Sequence, residues 1–404
     1  MKELQKGVCA PQGFRAAGIW CGIRKNQSKA DLAMIVSDVP CTAAGVYTKN
    51  KVKGAPLLVT QAHLADGHAQ AVICNSGNAN TCAPNGMEIA EETCALAAEA
   101  LGLRPEDLIV ASTGVIGKEM DIEPFRRGIP QLAAALSPDG SEAAARAIMT
   151  TDTKVKEVAV EFTAGGKTCR LGGIAKGSGM IHPNMATMLC FLTTDAAVSP
   201  AMLQKALSED VPDSFNQVSV DRDTSTNDTV TILANGLAGN PESAAPGPDY
   251  DAFAAALAYV TRRMSFLIAS DGEGASHTIV CQVTGAPDKE TARAVSRSVI
   301  SSNLFKAAIF GRDANWGRIL CAIGYTEAEF DVSRVDVTLQ SQAGSVLVCR
   351  QAAHSPYSEE EASKILSEEV VTVLVEMHQG SGEATAWGCD LTYDYVKING
   401  DYRT

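Results

Sequence analysis

Seven short polar segments, most of them carrying glycine, interrupt this chain's apolar pattern. They are Asn75–Asn80 (NSGNAN), Ser112–Gly117 (STGVIG), Thr150–Thr153 (TTDT), Lys176–Thr187 (KGSGMIHPNMAT), Asp221–Asp228 (DRDTSTND), Asp271–Gly274 (DGEG) and Gly311–Arg318 (GRDANWGR). No uninterrupted apolar run approaches the ~18 residues that cross a bilayer. Such a chain folds as a globular mixture of short elements. Glycine lets the main chain come close to a ligand, and Ser, Thr and Asn add uncharged hydrogen bonds. The seven segments are therefore expected to be loops that converge on one site.

Between them the periodicity predicts helices over 85–101, 250–263 and 358–370. In the first, Ala90, Cys94, Ala97 and Leu101 share a face and Gly102 follows as a C-terminal cap. In the second, Phe253, Leu257 and Val260 point inward, and Arg262 and Arg263 suit a last turn. Strands are predicted at 157–163 and 168–174, joined through Gly165-Gly166 as a hairpin. Others are expected at 188–193, 278–284, 335–340 and 345–350, and residues 236–249 read as a surface loop. The mixture makes the fold class α/β or α+β.

The 404 residues hold 34 Lys+Arg against 47 Asp+Glu, a formal net charge of −13, which disfavours nucleic acid and anionic membranes as partners. A chain this long builds its core without disulfide or metal staples. Its twelve cysteines include no C-x-x-C pair and sit mostly in apolar runs, so they read as buried hydrophobes in a reducing cytosol. No Cys/His grouping has zinc-ligand spacing, and no metal is expected. The first residues lack the apolar stretch of a signal peptide, so a cytoplasmic protein is expected.

No cofactor motif is present. There is no G-x-G-x-x-G after a strand, no G-x-x-x-x-G-K-[ST] and no G-x-S-x-G; KGSG has its lysine on the wrong side for a phosphate loop. The six histidines give no Ser-His-Asp triad. His182 reads as structural, and His277 as a possible partner of Glu273. More informative is the passage from KGSG through Met185-Ala186 to Thr187 and the apolar run MLCFL. A threonine at the head of a buried strand, after a glycine loop, is placed to attack the preceding carbonyl. Cleavage after Ala186 would free an α-amine on Thr187, with an ordinary pKa of ~7.7–8.0, suited to serve as that residue's own general base. Threonine is also a common strand residue, so the residues alone leave both readings open.

The motifs GVYTKNKV (45–52), CNSGNAN (74–80), STGVIG (112–117), TTDTK (150–154), KGSGMIHPNMATML (176–189), DRDTSTND (221–228), DGEGA (271–275), GRDANWGRI (311–319) and YVKINGDYRT (395–404) together resemble the ornithine acetyltransferase (glutamate N-acetyltransferase) family across nearly the whole chain. The resemblance implies layered sheets and helices of the type shared with self-cleaving aminopeptidases, with a smaller C-terminal subdomain. It implies self-cleavage between Ala186 and Thr187, giving an α chain of residues 1–186 and a β chain of 187–404. The two form one catalytic unit, commonly α2β2. It implies a ping-pong transfer of acetyl from N2-acetylornithine through Thr187 to glutamate, with no metal or organic cofactor and with acetyl-CoA a further donor in some members. Thr113 and Gly114 match the oxyanion donors. Thr150, Lys176, Thr187, Glu273, Asn399 and Thr404 match substrate contacts, Lys176 for the α-carboxylate and Glu273 for ornithine's amines. Gly177 and Gly179 are candidate hinges for closing the site. Two alternatives remain: an amidase or aminopeptidase of the same self-cleaving architecture, and an uncut amino-acid-binding protein.

Overall fold

Gly165 and Gly166, at φ +55° and +70°, turn the strand Lys156–Ala164 back on Lys167–Lys176 in continuous antiparallel register, the hairpin the sequence predicts. The computed structural model, which describes residues 1–182 and 188–401, builds outward from this pair. Among the described residues, nine strands make one sheet. In spatial order they are Lys2–Leu4, Lys156–Ala164, Lys167–Lys176, Leu189–Thr194, Thr229–Ala234, Leu32–Tyr47, His68–Asn78 and Leu108–Val115, with Phe14–Ile19 also paired to Leu32–Tyr47. Seven more, Val218–Ser219 and six between Thr278 and Cys389, form a second, smaller sheet. The class is mixed α/β with a C-terminal layer, as expected.

The helix Pro248–Ser270 lies between the sheets, against Lys156–Ala164 and Lys167–Lys176 on one side and Gly382–Cys389 on the other. Phe253, Leu257, Val260, Met264 and Ile268 are buried along it. The predicted helix ends at Arg263, but the apolar period continues through MSFLIAS and carries the helix to Ser270. This 23-residue helix is long and apolar enough to span a bilayer, contrary to the expectation that no stretch is. Its inward face is taken up by the core. The helix Gly86–Leu101 closes at Gly102, whose N–H reaches the carbonyls of Ala98 and Glu99. The predicted helix 358–370 is shorter, Glu359–Ile365. The β-branched run from Val370 instead enters the second sheet, parallel to Thr278–Ala286. Pro248 opens the long helix just inside the end of the predicted 236–249 loop.

All twelve cysteines are free, and nine are buried. Burial pushes the Cys9 and Cys41 thiols up to about 12. No group of three or more His, Cys, Asp or Glu that could hold a metal ion occurs among the described residues.

Leu189–Thr194 is hydrogen-bonded on one side to Lys167–Lys176 and on the other to Thr229–Ala234. Strands from before and after the Ala186–Thr187 bond therefore interleave in one sheet.

Candidate functional site

The loops at one end of the first sheet enclose a cavity of about 140 Å³. Its wall begins with two parallel strands, His68–Asn78 and Leu108–Val115, whose register pairs Asn75 with Ser112 and Gly77 with Gly114. Asn75 accepts from the Ser112 hydroxyl at 2.6 Å and donates to the Asn78 carbonyl at 2.9 Å. Asn78 in turn donates to the Lys118 carbonyl and accepts from the Asn80 N–H. NSGNAN is thus a buried brace that fixes the STG turn. Gly114, at φ +131°, is required there: a Cβ would lie 2.4 Å from the Gly77 carbonyl carbon. Thr113 and Gly114 face the cavity.

The opposite wall is organised by one buried ammonium. Lys156 Nζ lies 2.7 Å from Asp152 Oδ1 and 2.6 Å from Asp271 Oδ2, and all three side chains are at most 2 % exposed. Asp152 also accepts from the N–H of Thr150 (3.0 Å) and of Gly177 (2.6 Å). Asp271 accepts from the N–H groups of Thr153 and Lys154, and its carbonyl accepts the Ser178 hydroxyl at 2.6 Å. TTDT, KGSG and DGEG are therefore locked to one another through Lys156. Burial alone would raise the Asp152 carboxyl, but the charges of Lys176 and Lys156 outweigh it and hold that carboxyl well below the usual carboxylate range.

Lys176, Thr150 and Glu273 project into the cavity from this wall. Lys176 is 8 % exposed, and its ammonium charge bears on the buried Asp152 carboxyl. Glu273 packs over Gly179, where a Cβ would meet its carboxyl carbon at 2.3 Å. Smallness at Gly179 thus seats Glu273, a role distinct from the hinge expected. From the helix Tyr393–Asp401, Asn399 donates to Glu273 Oε2 at 2.7 Å.

Asp221 accepts from the N–H groups of Met180 and Ile181 (2.6 and 2.8 Å), and Thr224 donates to the His182 carbonyl. Further along the chain, the Thr229 N–H donates to the Met188 carbonyl at 3.0 Å. Ala186 and Thr187, the expected cleavage pair and nucleophile, and Thr404 lie outside the described residues. Both flanks of the cleavage pair, Ile181 and Met188, line the cavity.

The ArgJ family profile matches residues 15–404. The chain belongs to the ArgJ family. The arginine biosynthesis bifunctional protein ArgJ of Symbiobacterium thermophilum is 53 % identical over 406 residues, all of both chains. ArgJ 1 of Clostridium acetobutylicum is 48 % identical, covering 97 % of this chain and 96 % of its own. The crystal structure of the argJ protein from Bacillus halodurans is 43 % identical, with a TM-score of 0.49, over 52 % of this chain and 97 % of that one.

Six of the predicted site residues of this ArgJ-family chain, Thr113, Gly114, Thr150, Lys176, Glu273 and Asn399, meet at the one cavity. Six of the seven polar segments line it. The seventh does not: GRDANWGR starts the helix Trp316–Gly324, where Asn315 caps the Arg318 N–H, and Arg318 donates to the Leu304 carbonyl. Trp316 is partly buried against the second sheet's core. His277 does not pair with Glu273. Its Nδ1 lies 2.9 Å from Asp390 Oδ2 and from the Ser276 hydroxyl. His182 contacts the Ser219 hydroxyl at 2.9 Å; burial, then Arg297 and Arg222, push its imidazole down to about 4. Sequence reasoning missed Asp152, Lys156 and Asp271 as a unit, and Asn227 and Asp228 as cavity residues. The signal was there in part, since all but Lys156 lie in the polar segments already marked out.

Proposed function

We propose that this chain is a threonine-nucleophile acyltransferase that moves an acetyl group from N2-acetylornithine to glutamate, as the arginine-biosynthesis name of its relatives suggests. The observation that carries the reading is the meeting of Thr113-Gly114, Lys176 and Glu273 at one cavity beside Met188. An acetylated amino acid presents three groups there. Its acetyl oxygen needs hydrogen-bond donors as it becomes an oxyanion, its carboxylate needs a cation, and ornithine's amines need an anion. Thr113-Gly114, Lys176 and Glu273 supply them in that order.

Maturation begins when Thr187 Oγ attacks the Ala186 carbonyl. The acyl group moves from nitrogen to oxygen, and water hydrolyses the ester, leaving a carboxylate on Ala186 and a free α-amine on Thr187. In turnover that amine takes the Oγ proton as Oγ adds to the acetyl carbonyl. The C–N bond then breaks, the proton passes to the departing amine, and ornithine leaves an acetyl ester on Thr187. The glutamate amine attacks this ester, giving N-acetylglutamate and restoring the hydroxyl. Acetyl-CoA acylates Thr187 in the same way with loss of the thiol, in keeping with the relatives' bifunctional name. The interleaved strands hold the two pieces together after cleavage, and the assembly is taken as α2β2.

The test is to incubate the mature protein with acetylornithine plus glutamate, then with acetyl-CoA plus glutamate. Acetylglutamate is expected from each, matched one for one by ornithine or free CoA. Release of acetate independent of glutamate would instead make the protein an amidase. A second prediction concerns the oxyanion donors. Gly114→Ala, which forces a Cβ against Gly77, should lower kcat by about a hundredfold or more and change KM much less. An unaltered kcat counts against Gly114 as a donor.

A further inference from the structure

Asp228 has no part in the chemistry just described, yet it lines the same cavity. It is 2 % exposed, and its Oδ2 is buried with no hydrogen-bond partner among the described residues. Its main chain is fixed: the Asp228 carbonyl accepts from the Thr48 N–H at 3.0 Å, and the next residue enters the strand that pairs with Leu189. Leu189 is flanked in register by Thr229 on one side and Lys176 on the other. Asp228 therefore sits one residue from the row that contains Lys176. Burial drives its carboxyl well up from the ordinary value, against the opposing pull of a Ser225 hydroxyl and the Lys176 charge. A protonated carboxyl has an O–H to donate, and a buried polar atom left unpaired is costly.

The ligand supplies the missing acceptor. Taking the transferase reading as the basis, the acetyl oxygen already has Thr113-Gly114 and the amines have Glu273. The α-carboxylate has the Lys176 ammonium as its cation, and its two oxygens accept about four hydrogen bonds. An ionised Asp228 would repel that carboxylate, whereas a protonated one binds it with a charge-assisted O–H···O⁻ bond. We propose that Asp228 is a substrate-binding residue whose carboxyl makes an O–H···O bond to the α-carboxylate of the amino-acid substrate, beside Lys176. It would select for ligands that carry this group, whether donor or acceptor.

The experiment compares Asp228→Asn, which keeps a donor in the same shape, with Asp228→Leu and Asp228→Ala, which remove it. Each is assayed as mature enzyme with acetylornithine, with glutamate, and with the α-carboxamide analogue of acetylornithine. KM for both acids should rise about tenfold or more in the Leu and Ala variants, with kcat within about threefold, and should stay near wild type in Asp228→Asn. The wild-type preference for the acid over its carboxamide should shrink in the Leu and Ala variants. A merely structural role would leave that preference unchanged. Unchanged KM in the Leu or Ala variant, or an Asn variant as impaired as they are, overturns the proposal. If neither apolar variant folds, the Asn variant decides through the same preference: retention supports a neutral donor and loss refutes it. Failure of wild-type enzyme to form acetylglutamate from either donor would instead refute the transferase reading, independently of any Asp228 variant.

Discussion

Replacing Thr187 with alanine is expected to leave a single uncut chain of 404 residues with no measurable acetyl transfer. The wild type should resolve on a denaturing gel, and by mass, into residues 1–186 and 187–404. Both losses come from one oxygen. Without Oγ there is no attack on the Ala186 carbonyl, hence no free α-amine, and no atom to carry the acetyl group. Removing the nucleophile of a comparable acyl-transfer enzyme costs on the order of 10⁶ in kcat, which here falls below background. The fold should survive. The flanks are held by bonds independent of residue 187, from the Val220 N–H to the Ile181 carbonyl and from the Thr229 N–H to the Met188 carbonyl, so Tm should stay close to that of wild type. Thr187→Ser, which keeps the hydroxyl, should cut and turn over, though less well. A cleaved or active Thr187→Ala protein would end the proposal, since some other group would then be performing the chemistry.

The site was legible in the sequence to the extent that its chemistry is packed into short polar segments. Thr113, Gly114, Thr150, Lys176 and Glu273 each stand in one, and the fold brings them to one cavity. GRDANWGR shows the limit of that inference. Its composition matches the others, but Asn315 serves there as a helix cap, a local use of the same side-chain chemistry. Strand alternation was a poor guide where both faces are covered. Thr229–Ala234 is buried at every residue, so it shows no period of two. Leu32–Tyr47 was hidden by Pro40, which falls where its pairing with His68–Asn78 shifts register between Val36 and Cys41, an accepted place for proline in a strand. Lys156 was the least visible of all. In TKVKEV it looks like a solvated charge, and its partners Asp152 and Asp271 reach it from loops, one of them more than a hundred residues away in the chain.

That hidden lysine carries the other large effect. Lys156→Met should lower kcat/KM by about a hundredfold or more and reduce stability by ~3–5 kcal/mol at neutral pH, the usual cost of stranding buried charges. The activity loss follows from connectivity: Asp152 holds the main chain at Thr150 and Gly177, while Asp271 holds Thr153 and Ser178. Thr150, Lys176 and Glu273 would lose their common frame, so KM and kcat should worsen together. The pH dependence distinguishes charge from packing. In the wild type the folded Asp152 pKa lies below its unfolded value. Its contribution is therefore complete above the unfolded pKa of ~3.9 and is lost only as pH falls below that, through the folded value. Without Lys156 the Asp152 carboxylate keeps the Lys176 charge and the Gly177 N–H but loses its hydrogen-bonded cation, so its folded pKa should rise relative to wild type. Wherever Asp152 of the variant holds more proton than Asp152 of the wild type, the stability difference between them shrinks as pH falls. The Tm gap between wild type and Lys156→Met should therefore narrow as pH is lowered from neutral into the acid range, and adding Asp152→Asn or Asp271→Asn should close part of it at neutral pH. A gap of constant size across that range would mean that Lys156 acts by filling space, and a variant with wild-type KM would mean that the three loops keep their places without it.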